Sequence, residues 1–158
     1  MRTIILETII NAPIERVFDL ARSIDLHKLS TKGTNEEAIA GKTSGLIELG
    51  ETVTWRAKHF GIYQNLCVVV TDYKKPYLFV DKMTKGAFSS MKHIHRFEGI
   101  KDNKTRMIDR FTFEAPLGFV GKIVESLFLE SYMRKFLTEK NKELKTVAEG
   151  NEWQEILK

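Results

Sequence analysis

The sequence predicts an α+β fold: a curved antiparallel sheet wrapped around one long C-terminal helix, with two short helices after the first strand. Two patterns carry this expectation. About a hundred residues read almost entirely as strand, broken at roughly ten-residue spacing, which marks an antiparallel meander. An amphipathic helical pattern then runs from Leu117 to about Val147. A helix of about 30 residues is roughly 45 Å long. It cannot stand alone in water, so its apolar stripe must lie against the sheet. A sheet curved around one helix leaves a chamber between the two layers, and ligand pockets form in such places.

Thr3 to Ile10 is the first strand. Asn11-Ala12-Pro13 ends it and starts a helix, with Asn11 or Ala12 near the N-cap and Pro13 at the first helical position. Ile14, Val17, Phe18 and Ala21 carry helical spacing, and a second short helix follows from Ile24 to Leu29. After a polar loop (Ser30 to Asn35), strands are expected at Glu36–Gly41, Glu51–Phe60, Ile62–Tyr73, Tyr77–Lys85, Phe88–Glu98 and Thr105–Glu114. Gly61, Lys74-Lys75-Pro76, Gly86 and Lys101 to Lys104 supply turns. Pro116-Leu117-Gly118 breaks the sheet and launches the helix. Its stripe is Phe119, Val120, Ile123, Val124, Leu127, Phe128, Met133, Phe136 and Leu137, while Lys122, Glu125, Arg134, Lys135 and Glu139 to Lys142 face elsewhere. Residues 1–148 are read as one domain. Gly150 sets off a tail, 149–158, that carries Trp153, Ile156 and Leu157.

At 158 residues and 42% hydrophobic, the chain has enough apolar residues for one real core. Cys67 is the single cysteine, so no intramolecular disulfide forms and a reducing compartment is expected. It sits among Leu66, Val68, Val69 and Val70 and reads as a small buried hydrophobe. The N-terminus lacks the pattern of a signal peptide, and no window approaches about 18 apolar residues. A cytoplasmic protein without a membrane span is the expectation. The net charge of +4 is spread thinly, with short clusters at Lys74–Lys75, Lys101–Lys104 and Lys140–Lys145. A nucleic-acid binder concentrates charge on one face with aromatics between, so no nucleic-acid partner is expected.

Strand parity gives the sharpest functional inference, because residues two apart share a face. In the last three strands the charged majority falls on even positions. The odd face therefore looks inward, and beside Phe79, Met91 and Phe111 it carries Asp81, His93, His95 and Asp109. A buried lone carboxylate costs several kcal/mol unless it is paired. Neighbouring His and Asp can offset that cost as a register-fixing hydrogen-bond network. They can equally orient a ligand or act as a general acid–base set. Parity does not say which His meets which Asp. His95 is expected to be the most buried histidine, bonded to Asp109 or Asp81; if His93 points into the cavity as a ligand group, its loss should cost far less stability.

Trp55 offers a cavity wall and an indole donor, His59 lies at a strand end near the rim, and Tyr63 and Tyr132 are possible cavity hydroxyls. The candidate ligand-binding residues are Trp55, Phe79, Asp81, Met91, His93, His95, Asp109, Phe111, Phe128 and Tyr132. His-x-His binds a metal when a third ligand converges, from Asp81 or Asp109 here. One short motif is thin support, so the expectation is no metal and no cofactor. There is no glycine-rich phosphate loop, nucleophile elbow or CxxC.

Several segments together resemble the START/polyketide cyclase-dehydrase (SRPBCC) superfamily. They are Asn11-Ala12-Pro13-Ile14-Glu15-Arg16-Val17-Phe18, Gly50-Glu51-x-Val53-Thr54-Trp55, Phe60-Gly61 and Pro76-x-x-Phe79-x-Asp81. Gly86-x-Phe88, His93-x-His95-x-Phe97, Asp109 and Pro116-Leu117-Gly118-x-x-Gly121 complete the set. The resemblance covers roughly residues 1 to 145, and the His-x-His-x-Phe run is similar to a bacterial subgroup of stand-alone ligand-binding domains. It implies the helix-grip fold, with a seven-stranded antiparallel sheet, a long C-terminal helix and an apolar cavity. It implies binding of a hydrophobic or aromatic small molecule more strongly than catalysis. No catalytic set of the aromatase/cyclases maps here residue by residue. The alternatives are a cyclase/dehydratase-type enzyme using the inward Asp–His group, and a protein-interaction module, for which the Trp153 tail is the hint. Fold alone does not choose among them.

Overall fold

Alternating inward and outward side chains build the sheet. In the computed structural model, backbone is described for residues 1–116 and 122–158, and side chains for 1–116 and 127–158. Among these, seven strands form one antiparallel sheet: β1 (Arg2–Ile10), β2 (Glu37–Gly41), β3 (Thr52–His59), β4 (Ile62–Lys74), β5 (Leu78–Lys85), β6 (Ser90–Ile100) and β7 (Lys104–Glu114). Their order is β1-β7-β6-β5-β4-β3-β2, so every pair except β1–β7 is a sequence neighbour. Two short helices, α1 (Ile14–Ala21) and α2 (Ile24–Ser30), follow β1, and the long α3 (Lys122–Glu149) packs on β1, α1 and α2. This is the helix-grip arrangement. Register breaks in β2 and β4 accompany the sheet's curvature.

Local chemistry sets the joints. Pro13 is the residue before α1 rather than its first residue, and α2 is capped by the Ser23 hydroxyl, which accepts from the Leu26 N–H at 3.1 Å. Phe60 and Gly61 both have positive φ (54° and 75°) and join β3 to β4 in a two-residue hairpin whose twist suits the strands. β6 starts at Ser90, two residues later than expected. Phe88 is left in the loop, where its ring packs on Phe111 and Phe113.

Parity holds on β6 and β7, whereas on β5 the even Val80 is buried beside Phe79 and Tyr77, before the strand, is exposed. Met91, His93, His95 and Phe97 of β6 and Thr105, Met107, Asp109, Phe111 and Phe113 of β7 are all buried. Phe18 of α1 is the aromatic hub, edge-on to Tyr73, Phe79 and Phe97 at 5.3–5.6 Å between centroids.

Two expectations are corrected. The inward face of α3 carries the expected Met133 and Leu137 together with Leu129, Asn141, Leu144 and Val147, whereas the expected Leu127 and Phe128 are exposed. The helix start, Phe119 and Val120 lie outside the described residues, as do the side chains of Ile123 and Val124. Cys67 is only half-buried. It falls on the outer face of β4, where Thr54 and Thr84 hydrogen-bond it and hold its thiol below the usual range. After α3, the tail forms α4 (Trp153–Ile156) and docks, with the Arg16 guanidinium 3.9 Å above the Trp153 ring.

Candidate functional site

Between the concave face of the sheet, α2 and α3 lies a pocket of about 230 Å³. Its apolar wall includes Ile24, Val53, Trp55, Val68, Phe79, Met91, Phe111, Met133 and Leu137. Polar groups enter at two places, one on β5 and β6 and one beneath α2.

The first is a cluster around Asp109, which β7 buries almost completely. Its Oδ1 accepts from His93 Nε2 at 2.9 Å and from His95 Nδ1 at 3.0 Å, and its Oδ2 accepts from Asn141 Nδ2 of α3 at 2.6 Å. His95 Nε2 donates to Asp81 Oδ2 at 3.0 Å. With a carboxylate at each nitrogen, His95 must donate from both and is an imidazolium. Burial opposes that charge, yet Asp109 and Asp81 hold its pKa above the ordinary value. His93 is the other case. Burial and the neighbouring His95 charge lower its pKa to about 4, despite the bond to Asp109. It is therefore neutral at pH 7, with the proton on Nε2. Burial also opposes ionisation of Asp109, but the two histidines keep it well below the usual carboxylate range.

The second group lies beneath α2. His27 stacks on Trp55 (centroids 3.9 Å apart, planes 16° apart) and its Nε2 is 3.0 Å from Glu36 Oε1. Burial, then the charge of Lys140, lowers the His27 pKa, so the ring is neutral and donates. Burial works against the Glu36 charge, but His27 and Lys140 keep it ionised. Glu36 Oε2 is buried without a hydrogen-bond partner among the described residues, and Glu36 and Lys140 both line the pocket. At the rim, His59 Nδ1 and Tyr132 Oη are 2.6 Å apart, and the Phe60 ring covers Tyr132 at 4.5 Å.

Eight of the ten candidates from the sequence line this pocket: Trp55, Phe79, Asp81, Met91, His93, His95, Phe111 and Tyr132. Two do not. Asp109 lies behind the histidines, because they and Asn141 occupy both its oxygens. Phe128 is 60% exposed beside Phe60, because α3 turns it outward. Tyr63 is also outside, under the Arg56 guanidinium. His95 is the most buried histidine, as expected, and bonds both Asp81 and Asp109; His93 lines the pocket, is nearly as buried and shares Asp109 with it. The sequence reading missed His27, Glu36, Lys140 and Asn141. Asn141 carried a signal, because it sits four residues after Leu137 and three before Leu144 on the helix face that is buried.

The site defines a class: a helix-grip protein with a pocket that is apolar on most sides and ionisable at two. No family model matches the chain, and no curated protein matches it in sequence. Solved structures do match in fold. An aromatase/cyclase from a Streptomyces species superposes with a TM-score of 0.76 at 12% identity, over 94% of this chain and 93% of that one. A Thermus thermophilus protein gives 0.74 at 20% identity, over 92% and 95%. A START superfamily protein from Mycobacterium smegmatis gives 0.69 at 13%, over 93% and 97%. The fold is thus that of START superfamily proteins. Among the described residues, no helix is long and apolar enough to cross a membrane.

Proposed function

We propose that this protein binds a small hydrophobic or aromatic molecule in the pocket, as a carrier, sensor or sequestering protein. Residues 1–148 are the binding domain, 149–158 brace it through α4, and the lone cysteine fits action in the cytoplasm. The observation that carries the reading is the pocket itself, with an ionised Glu36 whose Oε2 is buried and unpartnered on its wall. An idle buried acceptor costs about 1–3 kcal/mol, and a ligand donor would relieve it. A dry apolar cavity of about 150 Å³ holds benzene, so this space suits a molecule of one or two rings. Native mass spectrometry of protein from its own host, with thermal shifts across a lipid and polyphenol panel, tests the reading. A retained ligand, or a midpoint that rises with ligand by mass action, supports it. No adduct and no shift across the panel overturns it.

One observation favours a second reading, a cyclase/dehydratase-type enzyme. His93 is neutral at pH 7, is held through Nε2 by Asp109, lines the pocket and keeps a lone pair at Nδ1. A general base needs such a nitrogen. Turnover of a polyketide-like substrate that is lost in His93→Gln, with ligand affinity kept, would establish it.

A further inference from the structure

We propose that Asp81, His93 and His95 form a binding site for one first-row divalent metal ion, with Asp109 as the carboxylate that aligns both histidines from behind. One ligating atom from each of the three lies within 4.8 Å of the other two. Two imidazoles and a carboxylate, with further positions open, suit divalent iron, cobalt or zinc.

The case rests on how the ring nitrogens are divided. Metal-bound histidines donate their other N–H to a carboxylate, which fixes tautomer and ring orientation. Asp109 Oδ1 holds His93 by Nε2 and His95 by Nδ1, and Asn141 fixes the other Asp109 oxygen from α3. This leaves His95 Nε2 and His93 Nδ1 for an ion. His95 Nε2 and Asp81 Oδ2 are already 3.0 Å apart, the spacing of two adjacent ligands each about 2.1 Å from one ion. His93 Nδ1 makes no hydrogen bond among the described residues, on a side chain only 8% exposed that lines the pocket. Asp81 is 22% exposed at its side chain, so an ion reaches it from the pocket without unfolding the sheet.

Charge points the same way. Asp81 and Glu36 face the pocket with Asp109 behind them, while Lys140 is the cation opposite, since Arg22 is engaged by Asp19 at 2.8 Å. With the His95 imidazolium and Lys140 against three carboxylates, one negative charge is left; once His95 gives up its proton, two are left, which a divalent ion balances with both histidines as neutral ligands. Binding displaces the proton from His95 Nε2 to solvent. The open positions of the ion then face the space that a small molecule would fill.

The test uses untagged full-length protein stripped with chelator and titrated with cobalt(II) chloride, then zinc chloride. The expected result is one ion per chain with a Kd below about 10 µM, a visible cobalt band from nitrogen and oxygen ligands, and a rise in thermal midpoint. Asp81→Asn and His93→Ala should each weaken binding at least tenfold. Asp109→Asn should weaken it about 10–100-fold while the far-ultraviolet circular dichroism stays native. The wild-type midpoint shift needs no variant, so it decides the matter if a variant fails to fold. No shift and no cobalt band at millimolar metal, or binding that survives both Asp81→Asn and His93→Ala, overturns the site.

Discussion

The two polar regions of the pocket are built to opposite rules. Around Asp109, side chains from β5, β6, β7 and α3 converge, and both oxygens of the buried carboxylate are used. At Glu36 one oxygen is bonded to His27 and the other has no hydrogen-bond partner among the described residues. Each carboxylate is buried, so each bears the desolvation cost of its charge. The first is compensated within the protein and holds a fixed geometry. The second is compensated by half and awaits a donor. Rigid backing and an open valence are different tools: one positions groups, the other receives a ligand.

Deleting each carboxylate separates the two. Asp109→Ala strands two histidines and Asn141 in the core, and breaking a buried charged network by removing one partner costs about 3–5 kcal/mol. Glu36→Gln removes a half-satisfied charge and should change stability by less than about 1 kcal/mol. Urea melts of the two variants measure the difference directly. Comparable losses at both positions would show that Glu36 is as much a structural member as Asp109.

The same contrast explains what was legible in the sequence. Strand period 2 forces Asp81, His93, His95 and Asp109 onto one face, so the cluster was visible once the strands were placed. Register decides the rest, and it pairs Asp81 with His93 and His95 with Asp109 across the ladder, while the hydrogen bonds also run diagonally. Parity alone could not reach that. Glu36 and His27 come from the edge of β2 and from α2, and their meeting depends on how α2 closes the sheet, for which no periodicity speaks. On α3, Met133 and Leu137 of the expected stripe do face inward, but tertiary packing leaves its Leu127 and Phe128 exposed. Helix phase is set by the longest consistent stripe, here Leu129 through Val147, and two exposed apolar residues at one end depart from it.

A smaller effect sharpens the first region. His95→Ala should cost about 2–4 kcal/mol, because it leaves Asp81 and Asp109 each short of a donor and opens a hole. His93→Ala should cost less, since Asp109 keeps His95 and Asn141. Asn141→Leu removes one bond to Asp109 and should cost about 1–2 kcal/mol. The order His95, His93, Asn141 in chemical denaturation is the expectation. A cost for Asn141→Leu equal to that for His95→Ala would mean that α3, rather than the imidazolium, is what keeps Asp109 charged.

The smallest effect is spectroscopic and belongs to the second region. His27 lies flat on Trp55, so a change in its charge alters the indole emission. The other tryptophan, Trp153, is removed from the signal by Trp153→Phe. The folded pKa of His27 lies below 6.5 because burial and then Lys140 disfavour the cation, while Glu36 favours it. Above pH 6.5 the ring is neutral in both folded and unfolded chains. As pH falls below 6.5 the unfolded chain takes the proton first, so this histidine's contribution to stability is lost in that direction. The emission midpoint should therefore fall below pH 6.5 while the protein is still folded. Glu36→Gln removes the group that favours the cation and should move the midpoint to lower pH. Lys140→Met removes one that opposes it and should move the midpoint up. Opposite movements place both charges on the His27–Trp55 stack; movement in one direction for both variants would mean that packing around Trp55, and not the facing charges, governs the ring.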